Sequence, residues 1–232
     1  MRKFYKNAEA VAIDGGFAVE LDGKRLKTPA GRPWILPNEK LARAIAAEWH
    51  AQSETVIPAT MPLMQLAATA YDHVPEARKD MIVRLLPYME SELVCLRAEH
   101  PETLVRLQES LWQPPLDWFN QRYDIHIEAC RGLGAVDVPA GGHERMHNVL
   151  DSLDNLELIG VQTATLGAGS LVLGLALYEK KMTAAEVFAA AELESTYQIE
   201  IWGGDKELTA RRESVRTELA STAEWFELIK SA

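Results

Sequence analysis

Between Leu158 and Tyr178 the chain runs 21 residues without a charged side chain. A stretch this apolar has to be kept from water. Two environments do that: a bilayer, or the interior of a helical domain whose other members surround it. By length alone the run could span a membrane. Gln162, Thr163, Thr165 and Ser170 lower its hydrophobicity, however, and Gly160, Gly167, Gly169 and Gly174 point to close helix contacts. The expectation is a central buried helix in a helical domain, with no stable membrane insertion.

Lys180-Lys181 then turn the chain into a second organising stretch, Thr183 to Gly203. Thr183 is a good N-cap, and Glu186 three residues on completes a capping box. Val187, Ala190, Ala191, Glu194, Gln198 and Ile201 fall at helical spacing on one stripe, beside Leu193 and Tyr197. Gly203-Gly204 supplies the stop. One long helix is predicted over 183–203. Glu194 interrupts its apolar stripe, and a buried carboxylate is costly unless paired. Two readings stay open for it. One is a salt bridge within the domain, to Arg97, Arg106 or a C-terminal arginine; the other is a face meant for something outside the chain.

The N-terminal part reads differently. Phe17, Val19 and Leu21 alternate, with Asp14-Gly-Gly16 before them and Asp22-Gly23 after, which is strand and turn chemistry. Val11–Ile13, Phe17–Leu21 and Arg25–Lys27 suggest an antiparallel meander, with another short strand at Trp34–Leu36. Asn38 caps a helix over about 39–52 that buries Leu41, Ile45 and Trp49. The proline-broken connector from Val56 to Pro62 marks a boundary. Helices are predicted over 63–73, over 76–96 with a break at Pro87, over 101–111, from 116 after Pro114-Pro115, over 144–155 and over 207–230, with a loop at 131–142. The fold class is therefore α+β: a small β-rich domain with one helix over residues 1–59, then a larger helical domain over 60–232.

Composition excludes some functions. The 232 residues are 47% hydrophobic and 25% charged with a net charge of -10, which suits a globular protein. That charge disfavours nucleic acid or an anionic membrane surface as main partner. Cys95 and Cys130 make no CxxC pair, so a reducing compartment is expected. The opening MRKFYK carries charge but lacks the apolar core of a signal peptide. A bacterial cytoplasmic protein, or one already processed, is expected.

His143-Glu-Arg-Met-His147 is a literal HExxH. On a helix the two histidines could hold zinc, with Glu144 as general base of a hydrolase. A catalytic site needs a third ligand, and no histidine follows His147; Arg145 would also put a cation beside the metal. Helix residues that happen to match are the preferred reading, with no catalytic residue, cofactor or metal. No dinucleotide, P-loop or triad pattern is present.

Several stretches together resemble one family. They are Lys3-Phe-Tyr-Lys6, Leu21-Asp-Gly-Lys-Arg-Leu-Lys-Thr-Pro29, Leu41-Ala with Glu48-Trp49 and Gln52, and Met61-Pro62-Leu63. Pro101-Glu-Thr-Leu104 with Gln108 and Trp112, Gly169-Ser170, Leu193-Glu194, Tyr197-Gln-Ile199 and Trp202-Gly203 follow in order. They look like the assembly chaperone of mitochondrial F1-ATPase that handles the alpha subunit, and its alphaproteobacterial homologues. The resemblance implies a non-enzymatic chaperone, taken here to act as a monomer, that binds the unassembled alpha subunit and shields its beta-facing surface until the hexamer forms. It implies a functional carboxylate at Glu194, with Gln198, Trp202 and Tyr197 on the same helix as partner-binding candidates. Departures from the family pattern fall at Leu93-Val94 and Leu96 around Cys95, and at Gln113 after Trp112.

Overall fold

A computed structural model describes residues 2–132 and 135–230. The described residues form five strands and ten α-helices, with a three-stranded sheet near the start and helices thereafter. The fold class is α+β. The described residues divide into two compact units. One takes in those up to Arg78, Asn155–Gly160 and those from Glu224 onward; the other holds Lys79–Asp154 and Val161–Ala223. The first unit thus extends past residue 59 and includes residues 60–78.

In the first unit β1 (Ala8–Ile13), β2 (Gly16–Leu21) and β3 (Lys24–Arg25) form an antiparallel meander. Asp22 and Gly23 both take positive φ, 49° and 76°, as a tight two-residue hairpin requires. The expected strand at Trp34–Leu36 is only an isolated bridge, Phe17 to Leu36. There the backbones close so tightly that a Cβ on Gly16 would lie 2.5 Å from the Leu36 carbonyl oxygen. Asn38 accepts from the Leu41 amide and caps α1 (Glu39–His50), which buries Leu41, Ile45 and Trp49. Glu48 on α1 receives the amides of Leu63 and Met64, both at 2.8 Å. A carboxylate thereby caps the N-terminus of α2 (Pro62–Asp72), where the helix dipole favours negative charge. At the other end Asp72 accepts from the Thr28 hydroxyl at 2.7 Å and the Ala30 amide at 2.8 Å. Late segments complete the unit: the Trp225 indole donates to the Leu156 carbonyl, and Asn38 donates to that of Leu228.

α3 (Val74–Leu85) gives way to a 3-10 turn over Leu86–Met89, the break expected at Pro87. In the second unit β4 (Leu96–Arg97) and β5 (Cys130–Arg131) form a short parallel pair that nothing in the sequence pattern announced. α4 (Glu102–Tyr123) is continuous through Pro114 and Pro115, where two helices were predicted. Each proline removes one backbone hydrogen bond. The helix continues because Gln108, Trp112, Pro115, Leu116, Phe119 and Tyr123 are all buried along one face. Leu107, on another face of the helix, is exposed.

The uncharged run is likewise not one helix. α5 (Gly142–Ser152) is followed by α6 (Asn155–Ala168), and a break at Gly169–Ser170 separates that from α7 (Leu171–Tyr178). Gly169 has φ of 64°, and the Ser170 hydroxyl caps α7 by accepting from the Leu173 amide. All eight residues of α7 are buried, whereas Leu166 on α6 is 58% exposed, so the burial expectation holds for α7 and not for the whole run. Gly174 lets α7 approach α6: a Cβ there would lie 2.5 Å from Thr165 Oγ1. Among the described residues, no helix is long and apolar enough to cross a membrane. Within the expected loop, Leu133 and Gly134 lie outside the described residues.

Candidate functional site

The Thr183 capping box forms as the sequence predicts, with Glu186 accepting from the Thr183 amide at 2.8 Å and Thr183 Oγ1 accepting from the Glu186 amide at 3.3 Å. The long helix it was expected to start does not run through. α8 (Ala184–Ala191) stops at Glu192, and α9 (Leu193–Trp202) begins there. Glu192 itself sits at the break, with φ of -103°. It is 3% exposed, and two cations from α10 (Lys206–Ile229) hold it. Arg211 donates to its Oε1 at 2.8 Å, and Arg212 Nε lies 3.3 Å from its Oε2. Arg212 also donates to the Thr196 hydroxyl. The internal salt bridge to C-terminal arginines is therefore real, but it belongs to Glu192. Its flanking by Ala191 and Leu193, both small or apolar, was the one sequence sign of its burial.

Glu194 is exposed and pairs with none of the arginines considered for it. It accepts from Gln108 Nε2 of α4 at 2.7 Å. Tyr197, half-buried, shares a 2.6 Å hydrogen bond with the Thr103 hydroxyl of the same helix. Together these fix α9 alongside the first half of α4, running in the opposite direction. Gln198 is exposed, Ile201 is 52% exposed and Trp202 is 77% exposed. Gly203, with φ of 80°, ends the helix directly after the tryptophan. The structure thus places all four sequence candidates on one short helix. Glu194 and Tyr197 are held against α4; Gln198 and Trp202 are presented outward. The stretch Leu193–Trp202 carries two carboxylates, Glu194 and Glu200, and no cation. The helix thus sets an indole and an isoleucine side chain in water beside a carboxylate, Glu194, that a hydrogen bond orients. Thr103 of α4, which bonds Tyr197, was not singled out from sequence.

Gln108 has no exposed surface. Its Oε1 accepts from the Ala98 amide at 2.8 Å, and its carbonyl accepts from Arg97 Nη1 at 2.8 Å. Arg97 is itself buried and donates through Nη2 to Gln113 Oε1. Its guanidinium lies over the Trp112 ring, whose indole donates to the Ala190 carbonyl of α8 at 2.8 Å. Burial holds the Arg97 pKa below the usual guanidinium range.

The HERMH stretch lies on the first turns of α5. His143 Nε2 is 3.2 Å from Glu90 Oε1, and Arg145 lines a cavity of about 470 Å³ with Arg122 and Asn148. Among the described residues no group of three or more His, Cys, Asp or Glu side chains converges as a metal site would require.

Residues 2–120 match the model of a family described as ATP12 chaperone protein. The mitochondrial protein atp12 of Schizosaccharomyces pombe is 24% identical to this chain, over 96% of the chain and 81% of that protein. The mitochondrial ATP12 of Saccharomyces cerevisiae is also 24% identical, over 82% of this chain and 71% of its own. The crystal structure of Atp12 from Paracoccus denitrificans superposes with a TM-score of 0.92 at 30% identity, covering 99% of this chain and 98% of the other. That of an Agrobacterium tumefaciens protein does so with a TM-score of 0.90 at 33% identity, over 99% and 86%. A family match across the meander, α1 to α3 and most of α4, joined to one fold shared over nearly the whole length, makes this chain a member of the ATP12 chaperone family.

Proposed function

We propose that this chain binds the unassembled alpha subunit of F1-ATPase and shields its beta-facing surface until the alpha/beta hexamer forms. Family membership makes it a chaperone of ATP synthase assembly; the choice of the alpha subunit is our reading. The chaperone names of its relatives support a binding role rather than an enzymatic one. The observation that carries the reading is the 77% exposure of Trp202 at the end of α9, next to Ile201 at 52%. An adjacent indole and isoleucine in water cost solubility, and exposed aromatic anchors are favoured at binding surfaces.

The physical logic follows from the client. An unassembled subunit exposes an obligate interface, which is large and apolar. A transient cover must hold it with moderate affinity, so that the correct neighbour can displace it. Trp202 would anchor, and Glu194 and Gln198 would set the register. We place this activity in the bacterial cytoplasm, with the monomer as the acting unit. The test is co-expression with an F1 alpha subunit and measurement of soluble alpha. Glu194→Lys, at an exposed position, is expected to keep the fold and lose protection. A variant that folds and protects as well as the parent would contradict the assignment of Glu194.

A further inference from the structure

A glutamine at the head of a buried stripe is the least expected residue on α4. The stripe is Gln108, Trp112, Pro115, Leu116, Phe119 and Tyr123, and an alanine or leucine would fill the first position at lower desolvation cost. Gln108 makes full use of its polar atoms instead. Its Oε1 takes the Ala98 amide, its carbonyl takes Arg97 Nη1, and its Nε2 reaches Glu194 Oε1 at 2.7 Å. Two of these bonds are internal to the fold. The third points outward, to the exposed carboxylate on α9.

Beneath Gln108 sits a cation with no carboxylate of its own. Arg97 is 7% exposed, its two nitrogen contacts are the Gln108 carbonyl and the Gln113 side-chain oxygen, and its Nε has no hydrogen-bond partner. Arg97 therefore anchors the backbone of Gln108 through its main-chain carbonyl, while the side-chain amide is held by the Ala98 N–H and reaches out to Glu194. A glutamate on an exposed helix ordinarily samples many rotamers, and a partner that uses it must freeze them. The buried Gln108 amide has no such freedom, so its bond to Glu194 supplies that ordering beforehand.

We infer that Gln108 is a positioning residue for partner recognition: its buried amide, fixed by the Ala98 N–H, holds the Glu194 carboxylate in its binding orientation. The inference rests on the reading of Glu194 as a contact to the alpha subunit. Binding of purified F1 alpha subunit to the full chain tests it, with Gln108→Glu, Glu194→Gln and the double variant compared with the parent. Gln108→Glu keeps an oxygen for the Ala98 amide but replaces the donor facing Glu194 with a second carboxylate. Gln108→Met, similar in shape and uncharged, removes the donor facing Glu194 together with the acceptor for the Ala98 amide, so its thermal midpoint is read beside its affinity.

The expected result is a loss of about tenfold in affinity for either Gln108 variant, at a thermal midpoint that still reports a folded protein. Glu194→Gln is expected to lose a similar factor, and the double variant no more than either single one. A core role alone would lower the thermal midpoint without this coupling. Parental affinity in both Gln108 variants, alongside weakened Glu194→Gln, would overturn the positioning role and leave the contact reading intact. Losses that multiply in the double variant would also overturn it. Parental affinity in Glu194→Gln would overturn the contact reading and the positioning role together.

Discussion

Glu92 offers a prediction that the fold makes independently of any partner. The residue has no exposed surface. Its carboxylate accepts from the Ser170 hydroxyl, from the amides of Leu171 and Val172 at 3.0 and 3.2 Å, and from that of Val94 at 3.4 Å. It is the buried link between the Glu92–Cys95 turn and the N-terminus of α7. Burial pushes its pKa up from 4.5 to about 7, against the opposing pull of these donors. The folded protein thus holds a proton that the unfolded chain releases. The stabilisation is fully present below pH 4.5 and is lost as pH rises through about 7. A shift from 4.5 to about 7 is worth about 3 kcal/mol at 1.36 kcal/mol per unit. Glu92→Gln mimics the protonated form and cannot titrate. Urea denaturation of both proteins at steps from pH 5 to pH 8.5 isolates the effect, because every other titrating group is common to them. The stability difference between variant and parent should move by about 3 kcal/mol in favour of the variant across that range. Parallel curves would refute the assignment of that proton to Glu92.

Three further substitutions probe the packing. Trp49→Ala in the first unit should cost about 3–5 kcal/mol, because it empties the space between α1 and Tyr5, whose hydroxyl donates to the Trp49 carbonyl; a loss under 1 kcal/mol in denaturant titration would contradict it. Glu192→Ala strands the 18%-exposed Arg212 more severely than Arg211, which is 56% exposed; a loss of about 2 kcal/mol is expected after discounting for solvent screening, read as a lower denaturation midpoint. Gly174→Ala sets a methyl 2.5 Å from Thr165 Oγ1 and 2.9 Å from its backbone nitrogen; overpacking of about 1–3 kcal/mol should appear in thermal melts.

Local signals were legible in the sequence. Asn38 and Thr183 cap the helices they were read to cap, and Asp22-Gly23 makes its hairpin, because each depends on residues within one turn. What failed depended on distant neighbours. Pro114-Pro115 does not end α4, since burial of Trp112, Leu116 and Phe119 outweighs two missing hydrogen bonds. The uncharged run breaks at Gly169–Ser170. That pair is a plausible stop and cap, but the length of the run overrode it. In the candidate site, the sequence placed Glu194, Tyr197, Gln198 and Trp202 on a helix and left open whether Glu194 is paired inside the domain, but it passed over Glu192, the glutamate that is buried. Glu192 meets Arg211 and Arg212 across a separation of about twenty residues that no periodicity encodes. Gln108 was legible only as part of a family resemblance. Its role depends on Ala98 and Glu194, ten residues before it and 86 after.

The central claim is that the outward face of α9 holds an F1 alpha subunit. Its most direct test is binding of purified alpha subunit to the parent chain and to Trp202→Ala, followed by addition of the beta subunit. Trp202 is 77% exposed, so its removal should leave the thermal midpoint within about 1 °C of the parent. The account predicts binding by the parent, release when beta is added, and at least a tenfold loss of affinity in the variant, as expected of an aromatic anchor. Equal binding by Trp202→Ala and the parent, or no binding by either, would contradict it.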